Sequence, residues 1–481
     1  MTVQTPEWVQ DAIFYEIFPD RFAISAQVEK PNHLESWDAP PTIFGFKGGD
    51  LRGVVERLDY LSDLGITAIY FTPIFQSTAN HRYHTHDYFH IDPILGGDPA
   101  FKTLLDAAHA RGIRVILDGV FNHASRGFYQ FNHTLENGVA SPYRDWFTFH
   151  NFPVRAYEEG NNYDSWWGLS ALPKFNTRNP DVREFLWRVA EHWIRFGIDG
   201  WRLDVPAEID DDEFWREFRR RVKAINPDAY IVGEIWHRAD RWLQGDQFDA
   251  VMNYQFTRAA LGFIVELDDR ARGLIHAHSY GDVPAMDGAA FARALTDQLT
   301  WYPAGITRAQ LNLLDSHDTA RFVTIARGEI AALKLALLAL FAFPGAPMLY
   351  YGDEIALEGE KDPDNRRGMI WEPGRINREL RAWTKQLIAA RKKSVALRRG
   401  GMTTLYAENH TVAFARQHQN EIAIIALNAS REPVALDLRV DALAPNGTRL
   451  IEAWSGATIV TQDGFARGIQ IAPRAGALFS S

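Results

Sequence analysis

Cysteine is absent from all 481 residues of the sequence, so neither a disulfide nor a thiolate metal site can form. Basic residues are also in short supply, because 51 Lys and Arg are set against 61 Asp and Glu and the formal net charge is −10. Nucleic acids and anionic membranes attract basic surfaces, so we expect neither as a partner. The first residues show no basic segment followed by an apolar one, and hence no signal peptide. These features favour a cytoplasmic protein.

Long hydrophobic runs are missing as well. The longest apolar stretch, residues 330–343, contains Lys334 and is shorter than the about 20 residues that a membrane-spanning helix needs. Hydrophobic residues make up 46% of the chain and charged residues 23%, which is the ordinary balance of a soluble globular enzyme. The length is sufficient for about two or three domains with a large core.

Short apolar runs alternate with longer helix-like segments over most of the chain. This alternation predicts an α/β fold in which parallel strands are joined by helical crossovers. Eight runs are present, the number that closes a (β/α)8 TIM barrel. The predicted strands are 12–17, 66–71, 114–118, 200–203, 230–232, 250–253, 310–314 and 347–350, and predicted helices between them include 51–64, 99–111, 181–196 and 330–343.

Two stretches depart from this alternation. Residues 122–176 are rich in Asn, Gly, Pro, Tyr and Trp and show little periodicity, which predicts a subdomain inserted after strand 3 over the barrel mouth. Beyond residue 397, short alternating runs separated by turn residues predict a C-terminal antiparallel β-sandwich domain. We therefore divide the chain into a catalytic barrel (1–121 and 177–395), an inserted subdomain (122–176) and a C-terminal β domain (396–481).

Three acidic residues follow apolar runs and define the candidate chemistry. Asp204, Glu234 and Asp318 each come after a predicted strand, and the carboxyl ends of barrel strands share one rim. Carboxyl groups assembled in this way suit the hydrolysis of a sugar acetal, in which one group attacks and another protonates the leaving oxygen. Taken singly, each residue has a structural alternative: an ion pair, the start of a helix or the cap of a turn.

The neighbours of these acids predict different roles for them. Arg202 precedes Asp204 by two residues, so both side chains lie on one face of a strand and we expect the cation to keep Asp204 ionised as a nucleophile. Ile235 and Trp236 give Glu234 an apolar environment, which raises the pKa of its carboxyl group and favours it as the proton donor.

Segment 117–123 adds polar side chains at the end of another predicted strand. Asp118 can orient Arg202, His123 can donate to a sugar hydroxyl, and Asn122 can offer its amide oxygen to a hard cation. The histidines of segment 81–86 lack the tight ligand spacing, with an acidic partner, that is typical of a metal site.

Four segments together resemble the signature regions of the α-amylase family of glycoside hydrolases, in the same order and at fitting distances. They are Asp118-Gly119-Val120-Phe121-Asn122-His123, Gly200-Trp201-Arg202-Leu203-Asp204, Gly233-Glu234-Ile235-Trp236 and Leu314-Asp315-Ser316-His317-Asp318. The resemblance implies a retaining enzyme with Asp204 as nucleophile, Glu234 as general acid/base and Asp318 as transition-state stabiliser. The residues that we expect to bind the substrate, an α-glucan oligosaccharide, are Tyr83, His123, Arg202, Trp236, His317, Asp362 and Arg366. No cofactor is required, and a calcium ion with Asn122 as ligand is an optional addition.

Finer features indicate a group within that family. Leu172-Pro173-Lys174-Phe175-Asn176 is similar to a segment of neopullulanases, cyclomaltodextrinases and maltogenic amylases, and Ala207-Glu208 stands where ordinary α-amylases carry Lys-His. The resemblance implies cleavage of α-1,4 bonds in maltooligosaccharides, cyclodextrins or pullulan, with α-1,6 bonds as a further target. That group normally has an extra N-terminal β domain that supports dimers, whereas the first strand predicted here begins at residue 12. Both a monomer and a differently built oligomer stay open.

Two other functions are compatible with this sequence. A transglycosylase or isomerase on the same fold would differ only in whether water or a sugar reaches the covalent intermediate first. A non-catalytic carbohydrate-binding barrel is the more remote alternative, since such relatives typically lose one of the acids and carry a membrane anchor.

Overall fold

The computed structural model describes residues 4–158, 160–276 and 280–481, so residues 1–3 and 277–279 of the predicted barrel and residue 159 of the predicted insertion lie outside it. Eight parallel strands close into a barrel in which each strand pairs with the next one along the chain and the first pairs with the last. The predicted (β/α)8 class is therefore confirmed. The strands are Phe14–Ile17, Ala68–Phe71, Arg114–Gly119, Gly200–Leu203, Tyr230–Gly233, Ala250–Asn253, Leu311–Asn312 and Ala346–Tyr350.

Every residue of the strands Phe14–Ile17, Ala68–Phe71 and Gly200–Leu203 is buried. This is the pattern of parallel strands that are covered on both faces, by helices outside and by barrel side chains inside. Successive side chains of a strand alternate between these two environments. Polar residues that point inward along such strands therefore meet one another in the barrel interior.

The seventh strand is shorter than predicted. The apolar run predicts residues 310–314, but only Leu311–Asn312 pairs with its neighbours. Beyond it, the carbonyl of Leu313 accepts a hydrogen bond from the Thr257 hydroxyl instead of from an adjacent strand. The chain thus leaves the sheet early and carries the segment with Asp318 across the barrel mouth.

The helices surround the barrel, and one of them differs from its prediction. The segment predicted as one helix at 51–64 forms two, because Arg57 leaves the helical conformation with φ −108° and ψ 3°. Gly65 ends the second helix with φ 101°, a left-handed conformation that glycine adopts without strain. The α-helices are Trp8–Asp11, Pro19–Phe22, Leu51–Glu56, Leu58–Leu64, Gly97–His109, Tyr129–Asn137, Pro180–Phe196, Asp212–Ile225, Tyr254–Ile264, Asp269–His276, Gly288–Trp301, Ala304–Ala309, Phe322–Ile325, Ile330–Ala342, Arg378–Lys393 and Val395–Arg399.

Two other parts complete the fold. Between the third and fourth strands, the chain forms the helix Tyr129–Asn137 and folds around packed rings that include Phe131, Phe147 and Phe175. A bridge between His123 and Lys174 joins the two ends of this insertion. The insertion therefore lies beside the end of the third strand, which His123 follows.

The C-terminal part is antiparallel, as predicted. A six-stranded sheet and a two-stranded sheet enclose a second, smaller apolar core. The strands are Gly401–Glu408, Thr411–His418, Glu421–Asn428, Val434–Arg439, Arg449–Glu452, Thr458–Val460, Phe465–Ile471 and Ala475–Ser480. Across the described ranges, we find no helix with the length and apolarity that a bilayer crossing demands.

Candidate active site

A cavity of about 610 Å³ lies at the carboxyl ends of the barrel strands. Eight of the residues predicted to act in catalysis or substrate binding line it: Tyr83, His123, Asp204, Glu234, Trp236, Asp318, Asp362 and Arg366. Arg202, His317 and Asp118 lie behind this lining and are buried. The structure thus brings together at one rim groups that are more than 200 residues apart in the chain.

The guanidinium of Arg202 is the centre of the site. It is fully buried and donates to both carboxylate oxygens of Asp118 at 2.9 Å. The same group lies 3.2 Å from Asp204 Oδ1 and 3.0 Å from Glu234 Oε2, through different nitrogens. Asp318 is farther away, at 3.8 Å. One buried cation therefore balances several carboxyl groups. We expect the loss of Arg202 to leave these groups buried without a compensating charge.

The turn after the fourth strand aims a backbone donor at Glu234. Val205 has φ 34° and ψ 50°, a left-handed conformation that a β-branched residue rarely adopts. In this conformation its N–H donates to Glu234 Oε2 at 3.1 Å. The indole N–H of Trp236 donates to Glu234 Oε1 at 2.9 Å, while its ring stacks on Tyr254 with 3.6 Å between centroids. Each oxygen of Glu234 is thus held by a separate donor.

The ionisation of the two central acids differs in part from the prediction. Burial raises the pKa of Glu234, as expected, although Arg202 and the Trp236 hydrogen bond oppose the rise. Burial and the neighbouring Glu234 also raise the pKa of Asp204 well above its usual range. The expectation that Arg202 would keep Asp204 ionised was wrong, because the cation is shared with other carboxylates and its effect on the pKa is smaller than that of burial and the charge of Glu234. Asp204 and Glu234 therefore titrate as a pair.

Asp118 connects Arg202 to a row of buried polar groups. The Tyr70 hydroxyl lies 2.6 Å from Asp118 Oδ2 and the Tyr83 hydroxyl lies 2.8 Å from it. Burial raises the pKa of Asp118 to about 6, against the effect of these donors and of Arg202. Beyond Tyr83 the row continues to His317, whose ring is parallel to the tyrosine ring.

Two buried residues of this row escaped the sequence analysis. Tyr70 lies in the second barrel strand, and Glu16, which contacts His317, lies in the first. The available signal was an acid inside an otherwise apolar strand, Phe14–Ile17, where a charged side chain needs a partner. Nothing in the sequence says that this partner is residue 317.

The side of the cavity formed by the insertion is aromatic. The ring of His123 stacks on Trp166 with 5.6 Å between centroids, and Trp166 stacks on Trp167 at 4.4 Å. Burial lowers the pKa of His123 to about 3, so this histidine is neutral at physiological pH. Its Nδ1 accepts from the amide of Asn122 at 3.2 Å, which leaves the proton on Nε2. Within the described residues His123 Nε2 is buried and has no hydrogen-bond partner.

The opposite side carries charged groups. Arg366 pairs with Asp362 at 3.0 Å, and its NH2 lies 3.7 Å from Asp318 Oδ1. Arg366 Nε also donates to the carbonyl of His317 at 2.9 Å. Arg366 therefore contacts both the segment of Asp362 and the segment that carries Asp318.

The candidate calcium ligand does not belong to a complete metal site. Asn122 Oδ1 is buried and has no hydrogen-bond partner in the ranges described. Calcium needs six to eight oxygen ligands, usually with several carboxylates. Within the residues that the structure describes, no cluster of three or more His, Asp or Glu side chains could hold a metal ion. Among the described residues, Asn122 thus offers one oxygen ligand without the carboxylate cluster that calcium sites usually have.

Comparisons with known proteins agree with this geometry. Residues 16–399 match the family described as the alpha amylase catalytic domain, and residues 402–480 match the neopullulanase-like C-terminal domain. A cyclomaltodextrinase of Geobacillus thermopakistaniensis is 46% identical over 444 residues, which cover 91% of this chain and 72% of that protein. Neopullulanase 2 of Thermoactinomyces vulgaris is 46% identical over 440 residues, which cover 91% of this chain and 72% of the relative. The crystal structure of a debranching enzyme from Nostoc punctiforme has a TM-score of 0.90 and 47% identity, with both chains covered to 100%. The chain belongs to the α-amylase family of glycoside hydrolases.

Proposed function

We propose that the protein hydrolyses α-1,4-glucosidic bonds in maltooligosaccharides, cyclodextrins and pullulan, and that it also accepts α-1,6 bonds. One observation carries the proposal: Asp204 and Glu234 both line the cavity and both reach the single guanidinium of Arg202. Two carboxyl groups that converge on one bound sugar are what retaining hydrolysis needs. The names of the relatives, cyclomaltodextrinase, neopullulanase and debranching enzyme, support the choice of substrates.

The reaction follows from the positions of these two acids. In the first step a carboxylate oxygen of Asp204 attacks the anomeric carbon while Glu234 gives its proton to the glycosidic oxygen. The bond to the leaving sugar breaks, and a β-glucosyl ester forms on Asp204. In the second step Glu234 takes a proton from a water molecule, the water oxygen attacks the same carbon, and the carboxylate of Asp204 is released.

The shared titration of the pair suits this sequence. Burial and mutual repulsion favour a state in which Asp204 and Glu234 hold one proton between them. A glycosidic oxygen beside Glu234 draws the proton to that residue and leaves Asp204 charged next to Arg202. Asp318, at the edge of the same ring, is placed to stabilise the positive charge that develops on the sugar.

The remaining expectations belong to the same proposal. We propose that the reaction uses protein side chains without a cofactor, because Glu234 supplies the proton and Asp204 the nucleophile. A neutral glucan is the partner, in keeping with the aromatic and hydroxyl-binding lining of the cavity. We place the protein in the cytoplasm, which agrees with its lack of cysteine.

A product profile tests the proposal. Purified protein is incubated with cyclodextrin, pullulan, soluble starch and maltotriose in parallel, with and without an added acceptor sugar. We expect cyclodextrin to be consumed faster than starch and panose to accumulate from pullulan, with the α-anomer as first product. Rapid cleavage of starch with inert cyclodextrin would contradict the substrate assignment. Transfer products in place of hydrolysis products would mean that a sugar hydroxyl, not water, attacks the glucosyl ester on Asp204.

A further inference from the structure

Glu16 is a buried carboxyl group to which the reaction above gives no role. It lies in strand Phe14–Ile17 and points into the barrel, whereas its neighbour Tyr15 points outward to Glu354. Its side chain is fully buried, and Oε2 has no hydrogen-bond partner among the described residues. An unsatisfied buried polar group costs about 1–3 kcal/mol or more if charged, so the contacts of the other oxygen must offset this cost.

Those contacts all lead to His317. Glu16 Oε1 lies 2.5 Å from Nδ1 of the His317 ring and accepts the backbone N–H of the same residue at 3.2 Å. On the far side of the ring, Nε2 lies 2.5 Å from the Tyr83 hydroxyl oxygen and 3.3 Å from Asp318 Oδ2. The imidazole is therefore clamped between a carboxyl group that takes no part in the reaction and two groups that line the cavity.

The protons in this row can be assigned by exclusion. Asp118 is paired with Arg202 and is mainly ionised at neutral pH, above its pKa of about 6, so Tyr83 donates its single O–H to Asp118. The oxygen of Tyr83 must then accept a proton from His317 Nε2. A bare Nε2 would instead face a carboxylate oxygen of Asp318 and would leave no proton in the contact between Tyr83 and Asp118.

We propose that Glu16 is a positioning residue, which engages Nδ1 of His317 so that Nε2 keeps its proton and directs it at Tyr83 and Asp318. Burial lowers the pKa of His317 to about 4, so the ring carries a single proton at neutral pH. With that proton on Nε2, the proton in the short contact at Nδ1 belongs to the carboxyl group of Glu16. The N–H at Nε2 also attracts the carboxylate of Asp318, which lines the cavity 3.3 Å away. Without Glu16 the imidazole is free to take its other tautomer, and its lone pair then repels Asp318.

Three variants separate positioning from mere stability. Glu16→Gln keeps the shape and supplies an amide N–H to Nδ1, so it preserves the proton on Nε2. Glu16→Leu has a similar volume but offers nothing to Nδ1. Glu354→Leu is the matched control, because Glu354 is a fully buried carboxyl group that accepts from Tyr15 and Tyr60 and has no contact with His317.

Steady-state kinetics on maltotriose give the first readout. We expect Glu16→Leu to lower kcat by about 100-fold with KM changed little, since a histidine in the wrong tautomer costs orders of magnitude in turnover. Glu16→Gln should stay within about threefold of the parent enzyme, and Glu354→Leu should lose thermal stability without losing kcat per folded molecule. A Glu16→Leu variant with normal kcat, or a Glu16→Gln variant as slow as Glu16→Leu, would overturn the proposal.

Nitrogen NMR of protein labelled in its histidine rings gives the second readout and needs neither turnover nor any variant of Glu16. The signals of His317 are assigned by their loss in His317→Gln. The effect of Glu16 on kcat rests on the proposed hydrolysis, whereas the tautomer of His317 can be observed without any reaction. A failure of the proposed function can therefore be distinguished from a failure of the proposed role of Glu16. A protonated Nε2 in the parent enzyme supports the assignment. A bare Nε2 with the proton on Nδ1 would overturn it, whatever the substrate proves to be.

Discussion

Replacing Trp236 by phenylalanine should move the alkaline limb of the pH–rate profile. The indole N–H of Trp236 donates to Glu234 Oε1 at 2.9 Å and so stabilises the ionised carboxylate. Phenylalanine keeps the stacking on Tyr254 but removes this donor. The pKa of Glu234 then rises further, and the residue keeps its proton to a higher pH. Because Glu234 must be protonated to act as the acid, activity is lost as pH rises through this pKa, and the limb moves upward.

The size of the shift follows from the contacts that remain. A hydrogen bond to a charged group contributes about 1.5–3 kcal/mol, and one pKa unit corresponds to about 1.4 kcal/mol, which gives an upper range of about 1–2 units. Val205 and Arg202 still hold the other oxygen of Glu234, and water can replace the lost donor. We therefore expect a shift of about one unit.

The assay is kcat/KM for maltotriose between pH 4 and 10, since this quantity reports the ionisation of the free enzyme. Trp167→Phe is the matched control, because Trp167 also lines the cavity but has no hydrogen bond to Glu234 among the described residues. Its alkaline limb should stay in place. If the limb of Trp236→Phe is unmoved or falls to lower pH, the assignment of Glu234 as the acid and the role of the indole are both refuted.

Three further variants test other parts of the site. Asp204→Asn should lower kcat/KM by about 10⁴-fold or more, because no ester can form, while the melting temperature stays the same or rises as a carboxyl group destabilised by burial is removed. Asp92→Ala leaves Arg82 buried without its 2.9 Å partner and should lower the free energy of unfolding by about 3–5 kcal/mol, measured by chemical denaturation. Tyr70→Phe removes a donor that lowers the pKa of Asp118, so the acid limb of kcat/KM should move to higher pH.

Each of these has an outcome that contradicts it. Near-normal hydrolysis by Asp204→Asn would remove that residue from the nucleophile role. For Asp92→Ala the control is Lys102→Ala, which breaks an exposed ion pair with Asp106 and should change stability by less than about 1 kcal/mol. Equal effects of the two would mean that the buried pair contributes no more than a surface one. If the acid limb of the kcat/KM profile is unchanged in Tyr70→Phe, the ionisation of Asp118 does not determine that limb.

Much of the fold could be predicted because its signals are local. Apolar runs of strand length alternate with helical segments, and the ends of each barrel strand lie within two residues of the prediction. The seventh strand is shorter than predicted because Leu313 and Leu314 extend the run beyond Asn312, whereas in the structure the carbonyl of Leu313 accepts from the Thr257 side chain and not from a neighbouring strand. The break at Arg57 is similar, since the apolar spacing continues across it and only the packed helices show the interruption.

The sequence by itself determined the order of the strands, the two β sheets at the C-terminus and the short list of acids from which a site could be built. It could do so because periodicity and position after a strand are properties of neighbouring residues. Closure of the barrel decided the rest. It brought Glu16 to His317, 301 residues away in the chain, and gathered three carboxyl groups around one arginine. The charges of buried groups depend on the whole environment and not on the next residue, which is why the raised pKa of Asp204 and the role of Glu16 emerged only from the tertiary structure.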